Sequence, residues 1–77
     1  MANQSKIEIA LEKIKTLRSR HRQAYFSDLE KANNEGLTKS LDVSMTFNRH
    51  ADLICKKIIY ILEDIETKAN DANQRDR

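Results

Sequence analysis

Two histidines, one cysteine and a short run of carboxylates are the side chains of this 77-residue chain that could carry chemistry. A neutral imidazole serves as metal ligand or base near neutral pH, so His21 and His50 come first. They lie on separate stretches of the chain that read as out of register with each other, and no Cys/His cluster has zinc spacing. Cys55 sits in LICKK, where two lysines could favour its thiolate. It also falls at the edge of an apolar run, where a cysteine acts as a small hydrophobe. Glu63, Asp64 and Glu66 are neighbours on a polar surface, and acid–base work needs environments that drive two pKa values apart. No glycine-rich phosphate loop and no Ser/His/Asp constellation occurs. The expectation is a non-enzyme with no catalytic, cofactor-binding or metal-ligating residues, no cofactor and no small-molecule substrate.

The elements that position these side chains follow from composition. The chain has 14 basic and 12 acidic residues, one glycine, no proline and one cysteine. A charge balance this even names no partner class. At this size a lone core supplies only about 3–5 kcal/mol, and small proteins add disulfides, a metal or self-association. With one cysteine and no zinc spacing, self-association remains. No apolar run approaches the ~18 residues of a membrane span, and MANQSKIEIALEK lacks the apolar stretch of a secretory signal. A cytoplasmic protein with no membrane partner is expected.

The absence of proline favours helix. SKIE at 5–8 matches a capping box, with Ser5 accepting from the Glu8 amide. Ile7, Leu11, Ile14, Leu17, His21, Tyr25 and Ala32 follow at steps of three, four or seven, on one helical face. NNEGL ends this helix, with Gly36 at the C′ position and Leu37 packing back on Ala32. The second helix has the sharper pattern. Phe47, Ala51, Ile54, Ile58, Ile61 and Ile65 form a heptad seam, and Cys55, Ile59 and Leu62 run beside it. At ~100° per residue this arc spans roughly 160°, more than one facing helix covers. The fold expected is all-α: an antiparallel hairpin with helix 1 at 5–35, a turn at 36–43, helix 2 at 40–70 and a frayed tail at 71–77. The uncovered arc predicts a homodimeric four-helix bundle with those nine residues at the oligomer interface.

RSRHRQ, residues 18–23, breaks the apolar face of helix 1. Arg18 and His21 share that face with Ile7, Ile14 and Tyr25, and burying an unpaired cation is costly. With a turn over 36–43, facing residue numbers should add to roughly 78 in an antiparallel hairpin. Lys13 and Lys15 then meet the acids of EDIE, a pairing that neutralises charge. Arg18, Arg20 and Arg22 face KKIIY, which brings Lys56 and Lys57 and no acid. Two uses follow. The polar gap, with Arg18, Arg20, His21, Arg22, Tyr25, Lys56 and Lys57, could receive another protein, as for an adaptor, chaperone or inhibitor. Alternatively, the five cations could contact phosphates, making the protein a dimeric regulator that binds nucleic acid. Leu53 and Tyr60, opposite the seam, form a second small stripe suited to contacts outside the bundle. Protein binding is the favoured reading.

Overall fold

The computed structural model describes the backbone of residues 5–75 and the side chains of residues 5–69. Two helices make up the fold: α1, Lys6–Glu35, and α2, Lys39–Arg75. Ser5 caps α1, its hydroxyl accepting from the Glu8 amide at 3.1 Å. Thr38 caps α2 in the same way, its Oγ1 accepting from the Leu41 amide at 3.1 Å. The connection is therefore three residues, 36–38, shorter than the 36–43 expected. Helix α2 also continues past the expected end near 70, through Arg75; the rest of the expected frayed tail lies outside the described residues.

Gly36 closes α1 with its amide donating to the Ala32 carbonyl at 2.9 Å. Its backbone lies at φ 93° and ψ 153°, a region that only glycine enters without strain. The left-handed C′ conformation expected of a Schellman-type cap is not adopted: φ is positive, but ψ is extended, and Leu37 is exposed. A Cβ added at Gly36 meets nothing within 4 Å, so an alanine there is strained only by its backbone. Gly36→Ala is expected to cost about 1–3 kcal/mol, read as a lowered thermal midpoint. An unchanged midpoint would show that the turn relaxes freely.

The helices run antiparallel, pairing Arg18 with Asp52, His21 with Asn48 and Asp28 with Ser44. Because the chain turns within 36–38, these α1 residues meet α2 residues lower in number than expected, the pairs adding to about 70. This corrects the predicted register. Lys15 does reach Glu63, at 3.9 Å between exposed side chains, a contact of little energetic weight.

The core is thin. Leu11, Cys55 and Ile59 are the buried apolar residues among those described, with Asn48 the buried polar one. Leu17, expected on the contact face, is largely exposed, and Arg18 takes its level in the seam. The molecule measures 61 × 24 × 14 Å, a ribbon one helix thick.

Candidate functional site

Three surfaces result: a polar seam between the helices, an apolar stripe on one open side of the hairpin, and a basic, aromatic groove on the other. The seam comes first, because it decides where the others lie. Arg18 Nε donates to Asp52 Oδ1 at 2.7 Å, both side chains being less than a third exposed. One turn towards the loop, Asn48 donates through Nδ2 to the Ser44 carbonyl at 3.0 Å. That leaves Asn48 Oδ1 as acceptor, 2.9 Å from His21 Nδ1, so this imidazole nitrogen carries a proton. Ser44 in turn donates its hydroxyl to Asp28 at 2.5 Å. The chain of donors from His21 through Asn48 and Ser44 to Asp28 leaves no buried side-chain polar atom unsatisfied among the described residues.

This seam answers the sequence's main anomaly. Arg18 is matched by Asp52, which the longer predicted turn had placed out of reach. Ser44, Asn48 and Asp52 repeat at steps of four along α2, so their common face was available to sequence reasoning. Apolar periodicity carries no signal for such a polar face.

The seam also rotates α2. To bring Ser44, Asn48 and Asp52 against α1, the helix turns Cys55, Ile59 and Leu62 inward as well. Cys55 and Ile59 are therefore covered within the hairpin, which removes them from the set open to an oligomer interface. The heptad seam faces outward. Phe47, Ile54 and Ile61 are 64%, 57% and 59% exposed, Ile65 is also exposed, and Ala51 and Ile58 are half-buried between them. At its loop end the Phe47 ring meets His21 edge-on, with centroids 5.7 Å apart.

The seven residues expected to bind a partner or polyanion are not gathered in one place. Arg18 and His21 are consumed by the seam. Arg22 and Tyr25 line the second open side with Phe26, Arg49, Asp52 and Leu53. Lys56 lies over the Tyr60 ring on the same side, 5.9 Å from its centroid. Arg20 stands about 200° round α1 from Arg18, on the other side of the hairpin, and Lys57 about 100° round α2 from Lys56. The predicted five-cation cluster is thus dispersed. Arg49, missed from the sequence, joins Arg22 because the shorter turn lowers the register.

His21 and His50 stand at one level of this register, contrary to expectation, but His50 is exposed and lies about 200° round α2 from Asn48. Among the described residues no three His, Cys, Asp or Glu side chains converge as a metal site, and no helix is long and apolar enough to cross a membrane. Comparison with known protein families, characterised proteins and solved structures returns no match.

Proposed function

We propose that this protein is a non-enzymatic interaction module that works by protein–protein binding, as an adaptor, chaperone or inhibitor, and whose first partner is its own copy. The observation that carries this reading is the outward heptad stripe Phe47, Ala51, Ile54, Ile58, Ile61 and Ile65. Contiguous exposed apolar surface of this kind marks interaction sites. The area agrees. The chain exposes 6428 Å², whereas a folded monomer of 9.0 kDa is expected to expose roughly 4,900 Å². The excess, roughly 1,500 Å² on each chain, falls within the roughly 1,000–2,500 Å² per partner that obligate homodimers bury. Its single thiol, Cys55, is buried and unpaired, which fits a cytoplasmic protein.

The stripe is complementary to itself in one antiparallel register. About a two-fold axis beside residue 56, Phe47 meets the partner's Ile65, Ala51 meets the partner's Ile61, and Ile54 meets the partner's Ile58. Each a position then faces a d position and no apolar residue of the stripe is left out. A parallel pairing would instead set Ala51 on Ala51 and Phe47 on Phe47, leaving a gap in one layer and crowding in another. Along the edge, His50 lies beside the partner's Asp64, and Lys57 beside its own copy. Two hairpins joined in this way make a four-helix bundle.

Single cysteines test the register, in a Cys55→Ala background. Lys57→Cys is expected to cross-link efficiently, while His50→Cys and Asp64→Cys cross-link only when the two variants are mixed. Cross-linking of all three alone would indicate a parallel dimer. Cross-linking of none, with a single chain in sedimentation, would remove the dimer.

A further inference from the structure

We infer that the side of the hairpin opposite the heptad stripe is a docking groove for an acidic, amphipathic segment of another protein. This deepens the protein-binding reading by naming the chemistry of its second partner. Two recesses, of 560 and 360 Å³, adjoin at Arg22 and Phe26 and lie end to end along the helices. Ile59 and the Arg18–Asp52 pair form the groove's floor, and Leu53 and Tyr60 stand on its α2 wall. The walls carry apolar surface that nothing in the hairpin covers: Phe26 is 56% exposed, Tyr60 60% and Leu53 44%. Phe26 meets the Tyr25 ring edge-on, with centroids 5.6 Å apart.

Charge decides the occupant. The groove's two carboxylates are engaged, Asp52 by Arg18 and Glu63 by Lys15. Among the described residues, no carboxylate lies within ion-pair distance of Arg22, Arg49 or Lys56. An apolar trough lined by Arg22 and Arg49, neither of them paired with a carboxylate among the described residues, and with Lys56 beside Tyr60, fits apolar anchors flanked by Asp or Glu. A nucleic acid fits less well, because Arg20 and Lys57 point elsewhere and leave too few cations along the groove to follow a phosphate backbone. From Arg49 to Glu63 the groove spans about 21 Å at 1.5 Å per residue, the length of a segment of roughly 14 residues in helical form. The groove lies within one hairpin and on the side away from the stripe, so the proposed dimer leaves it open twice.

The test is selection from a displayed library of random peptides of about that length, with the full chain as bait. The expected result is enrichment of sequences with Asp or Glu beside apolar anchors. Their affinity should fall at least roughly 10-fold in the double charge reversal Arg22→Glu, Arg49→Glu and on Phe26→Ala, with circular dichroism unchanged. Enrichment of neutral or basic peptides, no enrichment, or equal affinity for the variants would overturn the proposal. So would a single-stranded RNA oligonucleotide that binds more tightly than any selected peptide and is weakened by the same reversal. Sedimentation of the unmutated chain separates the two readings: a monomer there removes the dimer but leaves the groove to stand or fall on the peptides.

Discussion

Glutamate at both Ile54 and Ile61 is expected to convert the proposed dimer into a monomer of 9.0 kDa with a much lower melting temperature. Fully burying an isoleucine contributes about 1.5–3 kcal/mol, and more than half of each side chain remains exposed in the single hairpin. In a two-fold assembly each substitution counts twice, so four isoleucine contacts are lost and four carboxylates enter the interface. Counting only about 1 kcal/mol per isoleucine gives a loss of at least ~4 kcal/mol, or roughly a 10³-fold weaker dimer. The hairpin left behind has Leu11, Cys55 and Ile59 as its buried apolar side chains, too few to hold two long helices together alone. Its thermal midpoint is therefore expected to fall by about 15 °C or more at equal concentration. The control is Leu53→Glu with Tyr60→Glu on the opposite side, which should leave sedimentation and melting of the dimer nearly unchanged. A double Ile54→Glu, Ile61→Glu variant that sediments and melts like the parent would show that the stripe is merely solvated.

The existence of both helices and the bounds of α1 were legible because two signals agreed: one glycine in a chain without proline, and a Ser5–Glu8 cap before an apolar period. The existence of too wide an apolar arc on α2 was legible for the same reason. Which part of that arc α1 would take was not. Apolar periodicity marks the whole arc and does not say which edge of it faces α1. Helix α1, however, carries Arg18, His21 and Asp28 on its own contact face, and these require polar partners more than α2's isoleucines require cover. An unsatisfied buried polar group costs about 1–3 kcal/mol, comparable to leaving one large apolar side chain in water. Helix α1 therefore docks on Ser44, Asn48 and Asp52, and Ile54, Ile61 and Ile65 are left exposed on the hairpin. The misjudged turn concealed this matching, because five residues of extra loop moved Asp52 away from Arg18. The basic cluster was an artefact of that register, and the groove at Arg22, Phe26 and Arg49 is what the correct one assembles.

If polar matching sets the rotation of α2, then breaking and replacing the His21–Asn48 pair should have opposite effects. Asn48→Ala strands the His21 Nδ1 proton and is expected to destabilise the fold by about 1–3 kcal/mol, since Asn48 is only 7% exposed. Replacing both partners, His21→Leu with Asn48→Leu, removes the need for a match and fills the same layer with apolar volume. That double variant should equal or exceed the parent in denaturant midpoint, because apolar replacement of a buried polar pair is neutral or stabilising. The gain should come with a loss of specification. With two leucines in the layer, α1 can rotate towards Ile54 and Ile58, and two packings of the hairpin compete. The readout is Lys57→Cys cross-linking in the double variant: efficiency should drop although stability has not, as the outward stripe is partly drawn inside. Undiminished cross-linking would show that the leucine pair keeps α2 in the original rotation, so that Arg18–Asp52 and Asp28–Ser44 suffice to set it. A large destabilisation of the double variant would show instead that the hydrogen bonds themselves, and not their matching, hold the helices together.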